Sequence, residues 1–323
     1  LNQLEDAMTA TEAPIFTAWD QRDAQLWQTQ PVRLAHRLHE SPLFSRAGLA
    51  ALIERYPSQH YNLVHMGPAG QRRFWREGEI GNLSGAEVLM AIEQGRIWIN
   101  LRNVAKIDPA YRDLLEQIFV ELQQRMPGFS TFNEGIGILI SSPNAQVYYH
   151  ADLPGQALWQ IAGRKRLYLY PNTQPFLAPE HLEGIALFGH EMDVPYEPWY
   201  DEYAKVVELQ PGQMMHWPLN APHRIENLDC LNVSMTMEYW TDDIRRRHIV
   251  NVANGILREG FGIAPRSRAT AGPAFLAKKV MQKALRNRDW SPKDKPKRGR
   301  PPVDFRLDPA RLGQIVDLKP AGA

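Results

Sequence analysis

The chain has 323 residues, 44% hydrophobic and 23% charged, with a formal net charge of +1. That length suits one large domain with appendages or two domains, and the composition is that of a globular protein able to bury a large core. A single cysteine, Cys230, excludes an internal disulfide framework and a cysteine-based zinc site within one chain.

The cysteine count also fits a reducing setting. No stretch approaches the roughly 18 consecutive apolar residues of a membrane span. The opening LNQLEDAMTATEAP has neither the basic nor the apolar region of a signal peptide. A cytoplasmic protein with no membrane partner is therefore expected. The charge is unevenly placed: ten Lys or Arg against two Asp in residues 274–300 give that segment +8 and leave −7 for the rest.

Helical spacing dominates the first third. Residues 45–57 open on Ser45 and stop at Pro57, and residues 84–95 carry a capping box of Ser84 with Glu87 before Gly95. Residues 108–128 start with Asp108 and Pro109 and present a stripe of Tyr111, Leu114, Leu115, Ile118, Phe119 and Leu122. Residues 96–101 read as a strand. The pattern then changes to β-rich segments at 135–141, 146–152, 157–162, 165–171, 204–218 and 231–240, separated by turns containing Pro or Gly. Strands this short and this frequent predict a closed antiparallel barrel or jelly roll. The connection 172–203, rich in Pro and aromatics, is long enough to suggest a functional role or a lid. A helix is expected from 241, and beyond 288 the chain reads as a Pro-rich basic tail. The expected organisation is a helical region 1–90, a barrel 91–240, helices 241–290 and a tail 291–323.

Within the β-rich part, His150 and Asp152 are two residues apart and so project from the same face of a strand. An imidazole and a carboxylate are two of the three ligands of the 2-His-1-carboxylate arrangement that binds Fe(II) and leaves three positions open. His-x-Asp alone is a weak signal, and a surface His–Asp pair is its ordinary meaning. A third ligand has three candidates: His223 in APHRI, His216 just before it, and His190 in the long connection. Lys165 follows the turn Gly163-Arg164 and shares a face with Leu167 and Leu169 if the two segments form a hairpin. A buried cation there needs an anionic partner.

Together, HAD, QIAGRKRLYLYP, PGQMMHWPLNAPH and LNVSMTMEYW resemble the jumonji C-type, cupin-like branch of the Fe(II)- and 2-oxoglutarate-dependent oxygenases, over about residues 90–245. The pattern is similar to that of the asparaginyl hydroxylase acting on hypoxia-inducible factor. The resemblance implies a double-stranded β-helix, mainly β with flanking N- and C-terminal helices. It selects His223 over His216 as the second histidine ligand, beside His150 and Asp152. It places Lys165 on the far carboxylate of 2-oxoglutarate and Trp240 at the close of the last strand. O2 is then the other co-substrate, with an unidentified protein side chain or small molecule hydroxylated. A homodimer through the helices after Trp240, using Ile249, Val252 and Ile256, is implied too.

This sequence departs from that family at two places. Val147 stands where a Thr often assists co-substrate binding, for which Tyr148 and Ser234 are candidate replacements. Glu238 stands where the asparaginyl hydroxylase has an Asn, and its charge opposes a dianion. A cupin that binds metal without turning over 2-oxoglutarate is the first alternative. The second is a DNA-associated regulator, since KRGRPPV at 297–303 resembles an AT-hook core and residues 274–303 suit weak nucleic-acid contact.

Overall fold

Capping chemistry sets the helix starts. The protein is described here by a computed structural model covering residues 13–66, 75–189, 194–286 and 302–318. Asp20 and Asp23 form a reciprocal capping box on α1 (Gln21–Leu26). Ser45 accepts from the Gly48 amide at α2 (Arg46–Glu54), and Ser84 with Glu87 closes the predicted box on α3 (Gly85–Gln94). After the single turn α4 (Val104–Ile107), Asp108 caps α5 (Pro109–Arg125). The long connection contributes α6 (Pro179–Phe188), and α7 (Asp242–Phe261) and α8 (Gly272–Arg286) follow the last barrel strand.

Eight consecutive strands build the barrel: β6 (Phe132–Ser141), β7 (Gln146–His150), β8 (Gly155–Ala162), β9 (Lys165–Leu169), β10 (Lys205–Leu209), β11 (Gln213–His216), β12 (His223–Asn227) and β13 (Asn232–Trp240). They divide into two antiparallel sheets with the orders β11-β8-β13-β6 and β10-β9-β12-β7. This is the double-stranded β-helix that the sequence predicts, with helices before and after it.

Alternation along β13 shows how the larger sheet is used. Val233, Met235, Met237 and Tyr239 join Trp159 of β8 and Ile136, Ile138 and Ile140 of β6 in one core with α2, α3 and α5. Residues Asn232, Ser234 and Thr236 take the opposite face, towards the smaller sheet. That sheet sends Leu167, Leu169, Leu209 and Ile225 inward against Leu158 and Met215. The barrel is therefore greasy outside its larger sheet, and mixed apolar and polar within.

Three features differ from the sequence reading. The region before residue 90 also holds β1 (Phe16–Ala18), β2 (Val32–His36), β3 (Tyr61–Met66) and β4 (Trp75–Glu79), and with β5 (Ile97–Leu101) they extend the larger sheet. Part of the expected tail is sheet as well: β14 (Val303–Leu307) runs parallel to β4 and pairs with β15 (Ile315–Asp317), completing eleven strands. Phe305 anchors it, fully buried against Gly78, where a Cβ would meet the ring at 2.3 Å. An isolated short hairpin carries no periodicity strong enough to be read, and the pairing with β4 spans more than 220 residues. Most of the AT-hook-like stretch, residues 297–301, lies outside the described residues.

The third difference concerns Gly163-Arg164. Strands β8 and β9 do not pair with each other; β8 belongs to the larger sheet and β9 to the smaller. The two residues form a corner that carries the chain across the barrel, and Gly163 turns it with φ +73°. A Cβ at Gly163 would lie 2.2 Å from the Leu231 carbonyl oxygen. Gly163→Ala is therefore expected to destabilise the protein by about 2–4 kcal/mol, combining left-handed strain with overpacking. Chemical denaturation checks this; an unchanged midpoint would show that the corner relaxes freely.

The helices after Trp240 are engaged within the chain. Val252 and Ile256 are buried, α7 packs on α6 and α8, and the buried Glu183 of α6 forms ion pairs with Arg258 and Arg268. Of the apolar stripe that suggested a homodimer, Val252 and Ile256 are thus covered within the chain and Ile249 is half-buried. No described helix is long and apolar enough to cross a membrane.

Candidate metal and co-substrate site

Strand register brings the two histidines together. His150 ends β7 and His223 begins β12, and in the β7–β12 ladder these two residues are direct partners. An irregularity follows in the ladder, where His150–Val147 of β7 opposes His223–Ile225 of β12. The extra residue in β7 makes a bulge, a feature that re-aims side chains near sites. Beyond His150 the ladder stops, and Asp152 sits in the loop that follows.

The three side chains converge. One donor atom from each of His150, Asp152 and His223 lies within 4.8 Å of the others. The Asp152 Oδ2 atom is 3.9 Å from His150 Nε2 and 3.4 Å from His223 Nε2, and the imidazole centroids are 4.1 Å apart. Both rings are held by main-chain carbonyls two residues back: His150 Nδ1 to Tyr148 O at 2.7 Å, and His223 Nδ1 to Ala221 O at 3.1 Å. A carbonyl oxygen only accepts, so each Nδ1 carries the proton and each Nε2 presents its lone pair. Burial, and next the neighbouring His150, lower the His223 pKa to about 4 despite Asp152 and the Ala221 carbonyl, so this imidazole is neutral at pH 7. Two imidazole Nε2 atoms and one carboxylate are a donor set that fits a divalent transition-metal ion.

His216 is excluded from this group by its own bonds. Its Nδ1 meets the Gln156 carbonyl at 2.6 Å, its Nε2 accepts from the Gln28 amide at 3.0 Å, and its ring stacks on Trp27 at 3.9 Å. Both nitrogens are spent on structure. His190 lies outside the described residues.

Lys165 is the second unusual group. It opens β9 opposite Asn227 of β12 and Leu209 of β10, and its side chain is 0% exposed. By alternation it shares the inward face with Leu167 and Leu169. Among the described residues its Nζ has no hydrogen-bond partner. Burial lowers its pKa from 10.5 to about 7, with Cys230 opposing weakly. A buried ammonium without a partner is costly, and a bound anion would remove that cost. In the β9–β12 register Lys165 is four residues from the position facing His223, a span of about 13 Å along the strand.

The polar residues of β13 line the space between. Ser234 Oγ donates to Gln160 Oε1 at 2.8 Å, and Gln160 Nε2 donates to Asn232 Oδ1 at 2.8 Å. Asn227 Nδ2 donates to Ser141 Oγ at 2.8 Å. Glu238 lies at the other end of the strand, away from Lys165. Its surface is open to solvent, while the protein around it and then the nearby Asp152 carboxylate raise its pKa against a hydrogen bond from Gln156. No Lys165–Glu238 ion pair forms, and the charge that acts on Glu238 is that of Asp152. Tyr148 is half-buried and gives its carbonyl to His150.

Beside the triad opens a cleft of about 1110 Å³, lined among others by Leu169, Tyr170, Asn220, Ala221, Gln28 and Arg247. Its walls include Ala221, two residues before His223, and Leu169, the β9 partner of His223, but none of the triad. Asn220 was not singled out from the sequence. Its position in PLNAP, between two prolines, is a turn signal that could have drawn attention to it.

A family model described as a cupin-like domain matches residues 83–246. The chain belongs to this cupin-like family. Among solved structures, Escherichia coli YcfD is similar to this cupin-like chain with a TM-score of 0.49 and 18% identity, over 83% of this chain and 67% of that one. YcfD described as a ribosomal oxygenase, in complex with cobalt and 2-oxoglutarate, matches with a TM-score of 0.46 and 16% identity, over 91% and 75%. The form with cobalt and succinic acid gives 0.47 and 16%, with the same coverage. No curated protein matches the sequence.

Proposed function

We propose that this cupin-like protein is an Fe(II)- and 2-oxoglutarate-dependent oxygenase that hydroxylates a substrate reaching the triad through the adjoining cleft. The observation that carries the reading is the pairing of two features in one barrel. One is a cluster of three metal donors, and the other is a buried lysine amine on the inner face with no partner among the described residues. A metal-binding cupin has no need of the second feature. A dicarboxylate co-substrate needs both, one end for each.

In this reading His150, Asp152 and His223 hold the ion. When bound, Fe(II) supplies the coupled oxidation in which 2-oxoglutarate and O2 become succinate and CO2 and one oxygen atom enters a substrate C–H bond. Lys165 receives the far carboxylate and is protonated in that pair. Leu167 and Leu169 exclude water beside it, which strengthens the attraction. Ser234 Oγ spends its one proton on Gln160 Oε1, so in this arrangement it has none to donate to a carboxylate. Val147 cannot donate, leaving Lys165 as the main charged contact.

The carboxylate of Glu238 beside Asp152 favours a second reading, a metal-binding cupin without turnover. Incubation with Fe(II), 2-oxoglutarate and O2 separates them. The oxygenase consumes 2-oxoglutarate and releases an equal amount of succinate, a reaction lost in Asp152→Ala. Metal binding without succinate supports the second reading.

A further inference from the structure

We propose that Asn220 is a positioning residue that ties the two arms of the triad together. The proposal rests on the metal-binding reading of His150, Asp152 and His223. Asp152 needs external support because β7 ends at His150 and the ladder no longer fixes the chain. That support comes from 68 residues away: Asn220 Nδ2 donates to the Asp152 main-chain carbonyl at 2.6 Å.

The segment carrying Asn220 also delivers the second histidine. The Ala221 amide donates to Pro218 O at 3.0 Å, closing a turn, and Ala221 O then receives His223 Nδ1. Two further bonds pin this turn to the start of the long connection, Tyr170 N to Pro222 O at 2.9 Å and Asn172 Nδ2 to Leu219 O at 3.0 Å. Asn220 itself has φ +59°, a left-handed conformation that Asn tolerates better than most residues with a side chain. One amide therefore links the loop that carries the carboxylate to the turn that orients the His223 ring. It also lines the cleft.

Glycine provides the clean test, because it accepts the left-handed conformation and removes only the side-chain bond. Asn220→Asp keeps the size and the conformational tolerance while losing the donor. Both variants are expected to bind Co(II) about 10–100-fold more weakly, the usual cost of losing a group that orients a ligand. Their Co(II) visible absorption should change as Asp152 loosens, while Tm falls by no more than about 4 °C. Titrations are run well below each variant's Tm, so a loss of affinity there reports on the site whatever the thermal shift. Wild-type affinity and spectrum in either variant would overturn the role of Asn220 alone. A parent protein that binds no Co(II) would overturn the metal reading and this inference with it.

Discussion

Replacing His150 or His223 with alanine is expected to abolish divalent-metal binding, whereas His216→Ala leaves it intact. Both ligand candidates present Nε2 towards Asp152 Oδ2, with Nδ1 already committed to a main-chain carbonyl. Removing one of three donors should cost more than the about 10–100-fold lost with an outer hydrogen-bond partner. His216 has no free nitrogen to offer. Its loss removes the stack on Trp27 and leaves the Gln28 amide unpaired, a cost of about 2–4 kcal/mol in stability. Co(II) titration beside chemical denaturation separates the two effects. Equal loss of metal in the His216 variant contradicts the ligand assignment.

Lys165→Ala is expected to weaken 2-oxoglutarate binding by about 2–5 kcal/mol, the cost of leaving the partner of a buried charge pair unpaired. The parent should also show a particular pH dependence. The Lys165 pKa falls from 10.5 to about 7 on folding, so between those values the unfolded chain holds a proton that the folded chain lacks. Stability from this group therefore rises with pH across that window, and below about pH 7 the folded chain bears the full cost of a buried cation. Lys165→Met should remove this dependence and raise stability most on the acid side. Co-substrate binding runs the other way. A dianion requires the protonated amine, so affinity should decline and proton uptake increase as pH rises above about 7. Calorimetry on the Co(II)-loaded protein, in buffers of different ionisation enthalpy, measures both. Affinity that is flat with pH and unchanged in Lys165→Ala removes the co-substrate role.

Local signals carried the barrel and its flanking helices well. Ser84 with Glu87, and Asp108 before Pro109, are short-range caps, and each starts the helix that the spacing predicts. Alternation along β13, where Val233, Met235, Met237 and Tyr239 all join one core, is local in the same way, since period 2 is a property of a single strand. What failed depends on distant partners. QIAGRKRL resembles a hairpin because two residues link two β-rich runs, and nothing local says that the runs belong to different sheets. The strands before residue 90 and after 302 are short, and they exist because the edge of the larger sheet is there to pair with.

At the site, the i, i+2 spacing placed His150 and Asp152 together, but only the ladder partnership of His150 with His223 brings in the third side chain. From residues alone, His216 and His223 were equivalent. Hydrogen bonds made by His216 to Gln28 and Gln156 distinguish them, and neither partner is near it in sequence. The burial of Lys165 was foreseeable from its apolar neighbours; the absence of any partner for its Nζ was not.

The most direct test is an anaerobic titration of 2-oxoglutarate into the protein loaded with one equivalent of Fe(II) or Co(II). The expected result is one molecule bound per chain, with binding dependent on the metal, abolished in Asp152→Ala and strongly weakened in Lys165→Ala. A metal-loaded protein that binds no 2-oxoglutarate, or binds it equally well without Lys165, contradicts the assignment of this barrel to 2-oxoglutarate chemistry.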